Sequence, residues 1–230
     1  MNINFKTLSS TFTFLILGCF ATQGQNAIGK DYTNQKIDEF LSDFELKLTI
    51  KPDSFHFDLF HAALFHLSNN ERRKDKKKQL LYFTDLEKSA KLHSTEMSEH
   101  HFFSHTNSNS KKYKTPAKRM FTFNDNYRAV GENIVSNNLI EYSGKTLEYS
   151  IQQINEETIY IGENGKVLDY STYINLAKRL TKQWMDSPPH KKNILSENYT
   201  LLGCACALEK HNEFIEIKCT QNFGDLFQEE

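Results

Sequence analysis

Histidine and cysteine are the residue types in this chain with the widest chemical reach, and it carries nine of the first and four of the second. Their spacing excludes more than it offers. There is no Gly-x-Ser-x-Gly elbow, no phosphate-cradling P-loop and no His-Glu-x-x-His zinc helix. His101 and His105 stand four apart, a spacing that puts two imidazoles on one helix face. The intervening Phe102-Phe103-Ser104 leads into polar Thr106-Asn107-Ser108-Asn109, which reads as a loop, so the two are not a helical metal pair. His93, His100, His101 and His211 read as helix-surface or turn residues. Cys204, Cys206 and Cys219 lack the paired spacing of a zinc knuckle or a thioredoxin-like motif.

The elements that must position these residues follow from periodicity. Asn34 to Leu48 places Ile37, Phe40, Leu41, Phe44 and Leu48 on one helical face. Pro52 ends that helix, and Asp53 or Ser54 can cap the next, which carries Phe60, Ala63, Leu64 and Leu67. This second helix runs out in the basic stretch Glu71 to Lys78, read as a solvated helix end and loop. Thr84 and Glu87 form a capping box for a third helix, whose inner stripe is Leu86, Ala90, Met97 and the stem of His93. A helical turn follows from Pro116 to Met120, then an extended piece from Arg128 to Val135. Asn164-Gly165 marks a β-hairpin between Thr158–Ile161 and Lys166–Leu168. A last long helix spans about Thr172 to Met185, with Trp184 as a core anchor, and Ser187-Pro188-Pro189 breaks it. Leu201–Leu208 and Phe214–Phe223 alternate with the period of a strand. A two-residue turn at His211-Asn212 between them would set Cys204 opposite Cys219, so a Cys204–Cys219 disulfide is expected, with Cys206 a buried thiol.

A formal net charge of −1 leaves no basic excess to neutralise a phosphate backbone, so nucleic acid is not an expected partner. The first residues differ from the rest. Lys6 precedes a short apolar run from Phe12 to Phe20, too short to span a bilayer but suited to a secretory signal. Processing after Gly24 and a lipobox-like Leu15-Ile16-Leu17-Gly18-Cys19 are both open, the second giving a lipid anchor on Cys19 as the one route to a membrane. The expected organisation is a signal peptide over 1–24, a helical segment over 25–55, one domain over 56–224 with a β-hairpin insertion near 137–171, and a tail over 225–230.

Four segments stand in order: Asn69-Asn70-Glu71-Arg72-Arg73; Ala90 through His105; Gly131-Glu132-Asn133-Ile134; and Trp184 through Leu195, with Ser187-Pro188-Pro189-His190 at its centre; the tail adds Leu202–Cys206 and Thr220–Gly224. Together they resemble the CAP superfamily, which holds cysteine-rich secretory proteins, antigen 5 and pathogenesis-related proteins, and its bacterial SCP-like extracellular domains. The resemblance implies an α+β fold, a three-layer α-β-α sandwich around a central antiparallel sheet. The helix-rich first half and strand-rich last quarter agree with that layering.

The resemblance also implies a cleft where His105, Glu132 and His190 converge, with His105 and His190 as ligands of zinc or another divalent metal and Glu132 nearby. Two imidazoles can hold zinc, and a carboxylate can orient one ring, complete the shell or activate water. Asp186 is offset by one residue from where a second acidic partner would stand, about 100° around a helix end, so the set is read as three. The expected function is an extracellular or envelope-anchored binding module for a lipid, glycan or protein. The alternative is a metal-assisted, peptidase-like hydrolase using the same cleft. Export is checked by mass: protein from the native cell should begin after Gly24 or at a lipidated Cys19, and an intact Met1 would overturn it.

Overall fold

A computed structural model describes residues 31–142, 149–154, 157–211 and 214–228. The signal stretch 1–24, with Cys19, lies outside the described residues. The elements in order are α1 (Ile37–Ser42), α2 (Phe57–Lys74), β1 (Leu81–Tyr82), α3 (Thr84–Glu99), α4 (Pro116–Met120), β2 (Tyr127–Asn138), β3 (Tyr149–Ile154), β4 (Glu157–Gly162), β5 (Val167–Leu168), α5 (Tyr173–Asp186), α6 (Pro188–Leu195), β6 (Leu201–Lys210) and β7 (Ile215–Leu226), with short 3-10 turns at Phe44–Lys47 and Pro52–Ser54. The central sheet has the order β1-β6-β7-β2. It is antiparallel except for the two-residue β1, which runs parallel to β6 at the edge. A second, three-stranded sheet, β3-β4-β5, turns at Gly165, whose φ of 74° suits glycine.

Alternation along β6 and β7 assigns each face to one helical layer. Leu202, Cys204, Cys206, Cys219 and Phe223 join the core formed by α2 and α5, with Phe60, Leu64, Leu176, Leu180 and Trp184. The other face meets α3 and α4. A Cβ on Gly203 would lie 2.1 Å from the Glu87 backbone nitrogen, so only glycine lets α3 approach β6 this closely. This is the expected three-layer α-β-α arrangement.

Several local expectations are corrected. The first helix stops at Ser42, because Asp43 is extended and its carboxylate accepts the Glu45 N–H instead. A strong cap-former thus ends the stripe: Ile37 and Phe40 are buried, while Phe44 and Leu48 face solvent. Helix α2 is capped by the His56 side chain, accepting from Leu59 N–H, not by Asp53 or Ser54. No capping box opens α3: Thr84 is already helical, Phe83 is the cap residue, and Glu87 turns aside to His61 and Tyr82. Phe83 is drawn into sheet pairing, its N–H donating to Leu202, and that fixes where the helix begins.

The disulfide is corrected as well. Strands β6 and β7 pair to their last residues, Lys210 against Ile215, which leaves a four-residue connection where two had been expected. The register therefore slips by two, placing Cys206 opposite Cys219 and Cys204 opposite Gln221. The bridge is Cys206–Cys219, and Cys204 is the buried free thiol, its pKa pushed up by burial. A slip of two preserves which face each side chain occupies, so the alternation pattern could not detect it.

Non-reducing peptide mapping should recover Cys206 linked to Cys219, with fragmentation needed because one tryptic peptide carries both Cys204 and Cys206. Reduction, or Cys219→Ser, should cost about 2–5 kcal/mol in denaturant unfolding.

Candidate functional site

Strand β2 runs past both helical layers, and Gly131-Glu132-Asn133 at its centre serves both. Asn133 faces α6. Its Nδ2 donates to the His190 carbonyl at 3.1 Å and to Gln221 Oε1 at 3.2 Å. Asn193 answers from α6, donating to the Glu132 carbonyl at 3.2 Å and to Asn133 Oδ1 at 2.9 Å. Helix α6 starts with Pro188 at its first turn, where a missing N–H costs nothing, and these amides clip it to the strand. Trp184 adds an indole N–H bond of 3.0 Å to the Ile134 carbonyl. His190 is thereby fixed beside β2. Gly131 leaves room for Tyr199: an added Cβ would lie 2.5 Å from its hydroxyl oxygen, so a larger residue there would have to push that ring aside.

Glu132 faces the opposite layer, where its carboxylate is almost completely buried. Arg119 Nη2 donates to Oε1 at 2.9 Å and to Oε2 at 2.8 Å. The same guanidinium holds the Tyr113 carbonyl at 2.9 Å and the His105 carbonyl at 3.0 Å, so it fastens the 102–115 loop as well as neutralising Glu132. His105 Nδ1 lies 2.8 Å from Glu132 Oε1. With a carboxylate as partner, Nδ1 carries the proton, which leaves Nε2 as the outward acceptor on a half-exposed ring. His93 sits beneath, fully buried, with Nε2 at 3.1 Å from the Ser104 carbonyl and 3.8 Å from Glu132. Burial, helped by the Arg119 charge and opposed by Glu132, lowers the His93 pKa to about 4.

A match to the model of the cysteine-rich secretory protein family, CAP, covers residues 65–223, more than half of the chain. The chain belongs to the CAP family. It is 28% identical over 144 residues to the uncharacterized protein YkwD of Bacillus subtilis, covering 63% of this chain and 41% of that protein. The chain thus spans less than half the length of that relative. Among solved structures it is similar to an extracellular SCP-domain protein of Bacillus anthracis, at TM-score 0.47 and 21% identity over 76% of this chain and 44% of the other. An outer surface protein of Borrelia burgdorferi gives TM-score 0.49 and 17% identity over 79% and 99% of the two chains.

In this CAP domain the three expected cleft residues converge: the His105 and His190 rings lie 6.4 Å apart, and Glu132 touches His105. Glu132 does not fit as a third ligand, because both its oxygens are taken by Arg119 and His105; it suits the orienting role instead. The two metal-free rings stand farther apart than the ~5 Å between centroids of two imidazoles on one tetrahedral zinc. Burial, then the neighbouring His105, lowers the His190 pKa, favouring its neutral ring. Asp186 stays outside the cleft, paired with Lys182 at the surface.

Two contributors escaped the sequence. By its polar type His93 reads as a helix-surface residue, yet its place on the inner stripe with Ala90 and Met97 is the signal that it points inward. Arg119 lies in a five-residue helix, too short for periodicity to mark its inward face. Among the described residues, donor atoms of three His or Glu side chains lie within 4.8 Å of one another at another place, Glu209, His211 and Glu216.

Arg119→Met should cost about 3–5 kcal/mol in denaturant unfolding, because it strands a buried carboxylate. His105→Ala should cost less, since its ring is half-exposed. The depressed His93 pKa also has a sign. Between pH 6.5, the ordinary value, and about 4 the unfolded chain binds a proton that the native one refuses, so stability is full above that window and falls as pH drops through it. His93→Gln should flatten this slope in denaturant midpoints measured from pH 7 to pH 4.5.

Proposed function

We propose that this protein is an exported CAP-domain binding module whose cleft recognises its ligand through His105 and His190. The observation that carries this is the commitment of Glu132: its carboxylate is buried against Arg119 and spends its remaining capacity on His105. A hydrolase needs a base able to take a proton from water, and a carboxylate with both oxygens engaged is a poor one. It is well placed to lock a ring. The cleft then offers two imidazoles, one held in a set tautomer and one favoured neutral, as hydrogen-bonding groups on a rigid wall.

Export to the cell surface or beyond is supported by the apolar run behind Lys6 and by the Cys206–Cys219 bridge, which persists in oxidising compartments. Among the described residues no helix is long and apolar enough to cross a membrane. The ligand classes are lipid, glycan and protein.

Glycan arrays, lipid vesicles and peptide arrays probed with wild type, His105→Ala and His190→Ala should reveal one class that both variants bind about tenfold less well, the loss of one good hydrogen bond. Casein incubated with each protein and zinc should stay intact. Cleavage by wild type that His105→Ala loses would replace the binding reading with the hydrolase one.

A further inference from the structure

Where β6 and β7 separate, Glu209 and Glu216 are directly opposed. Like charges across a strand pair repel, so such a pair calls for a cation. Lys218 supplies part of it. Its ammonium is buried against Glu209 and takes the Met97 and Phe102 carbonyls at 3.1 and 3.2 Å, at the electronegative end of α3. Two carboxylates against one ammonium still leave a formal negative charge.

Two histidines close on this charge. His211 Nε2 lies 3.3 Å from Glu209 Oε1 and 3.6 Å from Glu216 Oε2. That nitrogen is shielded from solvent and has no hydrogen-bond partner among the described residues, while the ring as a whole is 33% exposed. Its ring stacks on Phe214 at 4.3 Å, which sets its plane. Those two separations match the edges of a tetrahedral shell, about 3.3–3.6 Å when each ligand is 2.0–2.2 Å from zinc. His101 Nδ1 meets the same Glu209 oxygen at 2.6 Å. It does so from a backbone with φ of 52°, as the residue that closes α3, where Phe102 N–H returns to Met97 and glycine would be the ordinary choice. A left-handed histidine is thus kept where its imidazole can orient Glu209. The group opens into a pocket of about 580 Å³, which leaves a side for water or a ligand.

We infer that Glu209, His211 and Glu216 form a binding site for a zinc-class divalent metal, with His101 positioning Glu209 and Lys218 fixing its other oxygen. One imidazole and two carboxylates leave the fourth position open. The site is separate from the cleft: Glu216 lies six residues along β7 from Asn222, the partner of Glu132, about 20 Å of strand.

Zinc chloride titrated calorimetrically into the chelator-treated mature chain tests this. One equivalent should bind to wild type, and the same event should persist in the His105→Ala/His190→Ala double variant. It should vanish in His211→Ala and in Glu216→Gln, and weaken about 10–100-fold in His101→Ala, as loss of an orienting partner does. Glu216 keeps 31% of its side chain exposed and glutamine preserves its shape, so Glu216→Gln should melt close to metal-free wild type, separating lost ligation from lost folding. Cobalt(II) should give the intense visible bands of a tetrahedral site in wild type and none in Glu216→Gln. No uptake at micromolar zinc, uptake unchanged in both His211→Ala and Glu216→Gln, or uptake lost only in the cleft double variant would each overturn the site.

Discussion

Glu132 and Arg119 are both taken almost entirely out of water, and the geometry of the cleft depends on that pair. Desolvating two ions costs several kcal/mol each, and their attraction offsets it only when the remaining hydrogen-bonding positions are filled. Here they are nearly all filled. The carboxylate receives the guanidinium and the His105 ring, and the guanidinium also takes two loop carbonyls. The pair therefore fixes a strand, a short helix and a loop of irregular structure to one another. An apolar pair could bury as much area, but it would not orient an imidazole.

The other side of β2 obtains the same result without charge. Asn193 donates to the Asn133 side chain and to the Glu132 carbonyl, and Asn133 in turn donates to the carbonyl of His190. Two layers of helices meet the strand by different chemistry, and one cleft histidine comes from each. The residues that make this CAP domain recognisable are mostly architectural. Asn69 exchanges two bonds with the Leu80 backbone, and Arg72, buried rather than solvated, caps the end of α6 through the Ile194 and Ser196 carbonyls. Conspicuous polar residues in such a motif place the cleft more often than they line it.

The contrast between the two His/Glu groups is electrostatic. In the cleft one carboxylate meets a full guanidinium and is satisfied. At the end of β6 and β7 two carboxylates face each other and the Lys218 ammonium meets Glu209; burial pushes the Glu209 pKa up, but hydrogen bonds from Lys218 and His101 hold it below the usual carboxylate range. Similar residue types serve a structural lock in one place and a cation-seeking group in the other, according to the positive charge supplied.

Apolar periodicity in the amino-acid sequence located the main helices and the strands β2, β4, β5, β6 and β7, while β1 and β3 went unmarked. The three-layer arrangement and the convergence of His105, Glu132 and His190 came with the resemblance to the CAP family, carried by short motifs in a set order along the chain. Tertiary structure alone decided the rest. The Cys206–Cys219 pairing turned on the length of one connection, and a two-residue slip leaves the alternation unchanged. The end of α1 turned on Asp43 competing for a backbone N–H, and the start of α3 on Phe83 pairing with the sheet. Arg119, His93 and the Glu209 group lie far from their partners in sequence or within elements too short for a pattern. Their roles depend on distances across space and on the solvent excluded between them, and a linear order of residues specifies neither.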